Sequence, residues 1–312
     1  VPLQPGRPLF SIMITVYDRL ETVKRAIRSV AAQLAPDMHV EIVNDGSLLR
    51  SQLETFLAKL DDDRITLSCT DEPLGHPHIF NHCIERAKGE WVHILHDDDW
   101  VDPHLYEHLR QGIDSAPEVG ALLCYHRIVG NASTTGRTMY AYPERETAGI
   151  IDGWLERIVV DCRLQFSSIV VRRSAYERVG GFSAECGSAF DWEMWKRLAV
   201  HFPVWYDPAM LVPIGRGDGS ALTDTLQRSG KQTIDSAQTI AISKSYLPPD
   251  VAERLSEKAS EALALRGLHL ARLFSKRHDY EAVVANLNAA LRVCPTPAIQ
   301  RRATQLLQTI YE

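Results

Sequence analysis

Short apolar runs alternate with amphipathic stretches along the first hundred residues. Residues 10–16, Phe-Ser-Ile-Met-Ile-Thr-Val, are a continuous apolar run and read as a buried strand. From 20 to 34 the period lengthens, and Val23, Ala26, Ile27 and Val30 fall on one helical stripe. Residues 40–43 form a second strand, closed by the turn sequence Asn44-Asp45-Gly46-Ser47. A helix over about 49–60, a strand over 64–69 and a helix over about 79–87 follow, and Lys88-Gly89-Glu90 leads into a strand that ends at His96. This alternation predicts an α/β fold with a parallel sheet, right-handed crossovers and a nucleotide-binding front half. Further strand-like runs lie at 119–129 and 167–171, with a polar, glycine-containing loop expected at 130–149. A helix is expected over 191–201, with Met194, Trp195 and Leu198 on its apolar stripe.

After about residue 227 the strand pattern stops, and Ala, Leu, Arg and Glu dominate. Helices are expected over 252–273 and 280–293, then a last one to about 311 beyond Pro295 and Pro297. The stretch 262–295 has the length and small-residue placement of a tetratricopeptide-type helix pair. One such pair leaves a face uncovered, so it is expected to dock on the front domain or on a second subunit as a homodimer through these helices. The expected domains are 1–228 and 229–312.

Where the fourth strand meets solvent, the chain places Asp97, Asp98 and Asp99 in succession. Burying such charges unpaired costs about several kcal/mol each. A hard dication, Mn²⁺ or Mg²⁺, resolves the conflict and also holds substrate phosphates. In open α/β sheets ligands bind at the carboxyl ends of strands. The competing reading is an acidic surface loop without a ligand.

Composition narrows the partners. The formal charge of −6 gives no basic field for nucleic acid. The six cysteines are scattered without a C-x-x-C pair, which indicates neither a zinc site nor a disulfide framework. With no apolar stretch near the roughly 20 residues of a membrane span and no leader pattern, the expected setting is cytoplasmic. Asn131-Ala132-Ser133 then reads as a chance glycosylation pattern. His104 and His108 have metal-ligand spacing, but with no third ligand nearby they read as surface residues.

Four motifs stand in order: Ser11 through Arg19, Val40 through Ser47, Gly75 through Asp99, and Phe190-Asp191-Trp192-Glu193-Met194-Trp195. Together they resemble the inverting glycosyltransferases of family 2, which have the GT-A fold: Rossmann-like, with a mostly parallel sheet flanked by helices. The resemblance covers residues from about 9 to 225, and the helical C-terminal region is an appendage to it.

The resemblance implies roles. Thr15, Val16, Tyr17 and Arg19 would cradle the nucleoside of a donor, with Tyr17 either stacking on the base or packing beside it. Asp45 would accept a hydrogen bond from the base, as the N3–H of uracil or thymine allows; a plain Asx turn is the alternative. Asn44 replaces a frequent aspartate. Asp98 would be the main metal ligand, Asp97 would lie near the ribose, and Asp99 would be a supporting or second ligand. His96 stands where an aspartate is common and could instead donate to phosphate. Asn81 belongs to a segment that approaches the nucleotide, although Phe80 stands where an arginine is frequent. Arg216, among Gly215, Gly217 and Gly219, is the candidate diphosphate contact from a closing loop.

The implied reaction moves a sugar from a UDP- or dTDP-sugar to an acceptor hydroxyl by single displacement. The acceptor and the sugar stay open, as does the choice among uracil, thymine and guanine. Asp191 would be the general base; as the residue before a helical run it could equally be an N-cap, and Glu193 is a second candidate. A nucleotidyl- or phosphoryl-transfer enzyme would need a glycine-rich phosphate loop, and Val16-Tyr17-Asp18-Arg19 contains no glycine. The remaining alternative is a non-catalytic nucleotide-sugar-binding or scaffold protein acting through its helical tail.

Overall fold

Strands β1 (Phe10–Val16), β2 (Met38–Asn44), β3 (Ile65–Cys69) and β4 (Trp91–Leu95) alternate with helices α1 (Leu20–Ala31), α2 (Arg50–Ala58) and α3 (His78–Arg86). Then come α4 (Leu105–Ser115), β5 (Ala121–Gly130), β6 (Thr138–Tyr140), β7 (Gly149–Ile150), α5 (Trp154–Val160), β8 (Ile169–Arg172), α6 (Arg173–Val179) and α7 (Phe190–His201). The chain ends with β9 (Val204–Arg216), α8 (Ala221–Arg228), α9 (Lys231–Lys244), α10 (Pro249–Ser275), α11 (Tyr280–Val293) and α12 (Pro297–Tyr311). This computed structural model describes residues 6–130, 138–140, 143–216 and 221–311. The Asn131 pattern and the side chain of Arg216 lie outside the described residues.

Two compact units form. One gathers residues 1–152, 164–182 and 201–218, the other 153–163, 183–200 and 219–312. The division at residue 228 concerns which stretch folds alone and remains a proposal.

Among the described residues, the first unit is built on a nine-stranded sheet in the order β3-β2-β1-β4-β8-β5-β9-β7, with β6 beside β5. The strands β3, β2, β1 and β4 run parallel, as the alternation predicts. Beyond them β8 is antiparallel to both β4 and β5, so the sheet is mixed. Every residue of β1 is buried, which explains its unbroken apolar run. The stripe Val23, Ala26, Ile27 and Val30 of α1 is buried in the same core as Ile12, Ile14, Val40 and Ile42. Ser11 is the polar exception in β1: its Oγ accepts from Lys88 N at 2.9 Å and Gly89 N at 2.8 Å, fixing the entry to β4. A side chain at Gly89 would put Cβ 2.5 Å from Ser11 N, so only glycine fits this approach.

The second unit is helical among the described residues. A shared core of Ala264, Leu268, Ala271, Ala282, Val283, Leu287 and Ala290 joins α10 to α11. Gly267 lets them approach, since a Cβ there would meet Ala290 Cβ at 3.1 Å. No helix among the described residues is long and apolar enough to cross a membrane.

Candidate active site

Because β1, β2 and β4 are parallel and adjacent, their carboxyl ends open on one edge of the sheet. Thr15 and Val16 end β1 and Tyr17 follows it, Asp45 follows β2, and Asp97, Asp98 and Asp99 follow β4. The register sets Val16 opposite Asn44 and Ile14 opposite Leu95. Asp45 N donates to Val16 O at 2.8 Å, and the Tyr17 N–H donates to the Asp97 carboxylate. Tyr17 itself is 53% exposed, leaving its ring free of a packed core.

The three aspartates diverge. Asp99 is buried: Ser167 Oγ donates to its Oδ2 at 2.5 Å and Gly215 N to its Oδ1 at 2.9 Å. Gly215 is obligatory there, because a Cβ would fall 2.0 Å from Asp98 O. Asp98 turns to Arg19, whose Nη1 donates to its Oδ2 at 2.6 Å and stands 3.6 Å from Asp97 Oδ1. Arg25 Nη2 donates to the Asp98 carbonyl at 2.7 Å, and its guanidinium lies 3.7 Å from the Trp100 ring centroid. Burial and the neighbouring Asp98 push Asp97 up to about 7 and Asp99 up to about 8, against the pull of Arg19 on the first and of Ser167 and Gly215 on the second.

His96 completes a group of potential donors. One ring nitrogen and a carboxylate oxygen each from Asp98 and Asp99 lie within 4.8 Å of one another. The imidazole packs nearly parallel to Phe80, at 5.3 Å and 12°, and against Phe166 at 4.7 Å. Burial pushes its pKa down to about 4, so the ring is neutral at neutral pH. Two carboxyl oxygens and a neutral nitrogen suit a divalent ion, and so does the shortage of countercharge around Asp97 and Asp99.

Beside β2, the Asx turn is built by Asn44 rather than Asp45. Asn44 Oδ1 accepts from Ser47 Oγ at 2.6 Å, and its Nδ2 donates to Ser47 O at 3.0 Å. Asp45 reaches across to another loop, accepting from Leu74 N at 2.6 Å and Gly75 N at 3.1 Å. Gly46, at φ +66°, permits the contact, since a Cβ would stand 2.4 Å from Pro73 N. Asn81 is committed to backbone: its Nδ2 donates to Phe182 O at 2.9 Å, and its Oδ1 accepts from Phe182 N at 2.7 Å. It therefore secures the Gly180-Gly181-Phe182 turn.

In the second unit, Asp191 lies in the first turn of α7, one residue inside the helix rather than ahead of it as an N-cap. Its Oδ1 accepts from Trp192 N at 2.7 Å. Burial pushes it up to about 6, opposed by backbone hydrogen bonds and by Arg266 of α10. Glu193, the second candidate base, is buried and paired through both oxygens with Arg197, each at 2.8 Å. That pairing corrects the expectation that Glu193 is available as a base. Lys196 is fully buried, its Nζ 3.5 Å from the Trp192 ring centroid and 3.4 Å from Ser243 Oγ.

His104 and His108 have separate partners, Glu107 at 3.0 Å and Asp207 at 2.7 Å; His104 is exposed as expected, whereas His108 is half-buried against the buried Asp207. Sequence reasoning assigned no role to Arg25 or Ser167, which hold the aspartate segment from 73 and 68 positions away. No local pattern marks either contact.

Comparison with known proteins agrees with this architecture. Residues 11–179, more than half of the chain, match the family model "Glycosyl transferase family 2". The succinoglycan biosynthesis protein ExoO of Rhizobium meliloti (strain 1021) is 29% identical over 141 residues, which cover 45% of this chain and 39% of that protein. The uncharacterized glycosyltransferase YwdF of Bacillus subtilis (strain 168) is 24% identical over 229 residues, 72% of this chain and 81% of that one. The chain thus spans about two fifths of the first relative and about four fifths of the second. S. aureus TarS 1-349 in complex with UDP-GlcNAc superposes with a TM-score of 0.68 at 15% identity, covering 96% of this chain and 90% of that one. The mannosyltransferase PcManGT from Pyrobaculum calidifontis, in complex with GDP-Man and Mn2+, gives 0.60 at 18% identity, with 99% and 82% covered. At these identities the structural likeness establishes the GT-A fold alone. The family match over residues 11–179 shows that the chain belongs to glycosyl transferase family 2.

Proposed function

We propose that this glycosyltransferase uses a UDP- or dTDP-sugar together with Mn²⁺ or Mg²⁺, and transfers the sugar to an acceptor hydroxyl with inversion at the anomeric carbon. The observation that carries the reading is the convergence of Tyr17, Arg19, Asp45 and Asp97 to Asp99 on the carboxyl edge of β1, β2 and β4. A nucleoside diphosphate fits such an edge, with the base toward Asp45 and the pyrophosphate toward the aspartates. TarS in complex with UDP-GlcNAc and PcManGT in complex with GDP-Man and Mn2+ lend support from proteins of the same fold. The second of these keeps guanine open as the base.

Asp98, Asp99 and His96 offer the donor atoms that would hold the ion, and Asp97 stands next to them. When bound, the ion would supply Lewis-acid stabilisation of the departing diphosphate. Arg19, beside Asp98, would add a donor to the same charge. Thr15, Val16 and Tyr17 would line the nucleoside, Arg216 would reach the diphosphate, and Asn81 would position the Phe182 turn rather than touch donor. Asp191 would take the proton from the acceptor hydroxyl: its carboxyl near 6 is ionised at neutral pH and basic enough to accept. A single carboxylate base without a covalent intermediate gives inversion. The helices after residue 228 would dock a partner subunit as a homodimer.

Incubation with a panel of nucleotide sugars, with Mn²⁺ or with chelator, tests the reading. Release of UDP or dTDP only with metal, and a product of inverted anomeric configuration by proton NMR, are the expected results. Equal turnover in chelator, or retained configuration, would refute it.

A further inference from the structure

Three donor groups meet behind the aspartate edge, and one of them is not a carboxylate. The Nε2 of His96 is shut off from solvent and has no hydrogen-bond partner among the described residues. An orphaned buried nitrogen is costly unless something occupies its lone pair or its proton. Around the ring stand Phe80 and Phe166, which offer no such partner. The polar neighbours are the His76 imidazole, stacked at 6.5 Å, and two carboxylates: oxygens of Asp98 and Asp99 lie within 4.8 Å of a His96 ring nitrogen and of each other. Three ligands spread evenly around one ion at about 2.1 Å stand about 3.6 Å from one another. Groups within 4.8 Å of one another need to close by about 1 Å to share an ion.

We propose that His96 supplies a nitrogen ligand to the ion held with Asp98 and Asp99, and that this ligand makes the site select manganese and later first-row ions over magnesium. The inference rests on the metal-dependent donor binding proposed above and deepens it. Magnesium favours an all-oxygen shell and dehydrates reluctantly. Imidazole suits transition ions, whose affinity rises from Mn²⁺ towards Cu²⁺. Asp99 is already fixed by Ser167 and Gly215, and the His96 backbone N–H donates to the same Ser167 Oγ at 3.2 Å. One hydroxyl thus holds two of the three ligands, an arrangement that sets their spacing before an ion arrives.

Pulsed EPR on bound Mn²⁺, with UDP, dTDP and GDP each supplied as co-ligand, tests this directly in the unmodified protein. Modulation from a coordinated imidazole nitrogen, altered by ¹⁵N-histidine labelling, is the expected signature. His96→Phe keeps an aromatic ring against Phe80 and Phe166 but removes the nitrogen. Calorimetry on it should show the Mn²⁺ over Mg²⁺ affinity ratio lowered at least about tenfold, since losing even an outer partner of a ligand costs 10- to 100-fold. Manganese that binds in the wild type and is lost in Asp98→Asn, but shows no nitrogen coupling and the same ratio in His96→Phe, overturns the assignment and leaves the metal-dependent transfer standing. No binding of Mn²⁺ with any of the three nucleotides overturns both.

Discussion

Arg19 Nη1 sits 2.6 Å from Asp98 Oδ2, joining the loop after β1 to the loop after β4 through one charged hydrogen bond. It is the guanidinium that also faces Asp97 at 3.6 Å, so one cation serves two of three adjacent carboxylates. Arg25 adds a second positive charge from the Asp98 carbonyl side, yet burial still holds Asp97 and Asp99 well above the ordinary aspartate range. The donor set reads as a cation site whose present partner can be exchanged.

Asp98→Asn should therefore abolish Mn²⁺-dependent binding of nucleoside diphosphate while leaving the fold intact. Calorimetry with Mn²⁺ and UDP, dTDP or GDP, alongside far-UV circular dichroism, measures both. Unchanged metal dependence in the variant would remove Asp98 from the ion.

Asp191→Asn should preserve donor binding and reduce transfer by about 10²- to 10⁴-fold, the range expected for a general base. The wild-type pH profile carries the same information. The Asp191 carboxyl is held near 6, above its ordinary 3.8, so the proton leaves later than usual as pH rises. A base works only when ionised, so with the aspartate cluster kept ionised by saturating Mn²⁺, kcat/KM should fall about tenfold per pH unit below about 6 and level off above it. A profile that stays flat through that region would place the base elsewhere.

Gly46→Ala should destabilise the first unit by about 1–3 kcal/mol, through a strained positive φ and a clash with Pro73. It should also weaken nucleotide binding, because the loop it would displace carries the Leu74 and Gly75 amides that hold Asp45. Urea unfolding and UDP titration check the pair of effects. Wild-type stability with wild-type affinity would dissociate this turn from the site.

Lys196→Met should stabilise the protein in a pH-dependent way. Burial lowers this amine to about 7 from an ordinary 10.5, so the unfolded chain binds an extra proton between those values. Stability should rise with pH through that window, and the penalty is complete below about 7. The variant's gain in Tm should thus be largest at about pH 6 and shrink towards pH 10. A gain independent of pH would mean that Lys196 titrates alike in the folded and unfolded chain, so that burial does not lower it.

Much of the fold was legible because the first four strands carry their periodicity openly, and Asn44-Asp45-Gly46-Ser47 marks its turn. Strand β9 was not, because Pro208 and Pro213 lie within its span and a proline weakens any strand pattern. The structure accommodates Pro208 where the pairing with β5 slips, between Cys124 opposite Asp207 and Tyr125 opposite Met210. The expected loop over 130–149 holds the short strand β6. At the site, the aspartates themselves were visible because they adjoin a strand end. Their supports were not: Ser167 and Gly215 meet Asp99 across 68 and 116 positions, a pairing that only the folded sheet creates. Asn81 drew attention through its motif, yet its amide serves Phe182, because a side chain's partner is decided by packing rather than by order in the chain.

A crystal soaked with Mn²⁺ and UDP, with dTDP and GDP as parallel soaks, tests the central claim most directly. The account predicts an anomalous manganese peak bonded to Asp98, with the pyrophosphate on the ion and the base toward Asp45. Nucleotide bound away from the carboxyl ends of β1, β2 and β4, or no manganese peak beside Asp98 in any soak, would contradict it.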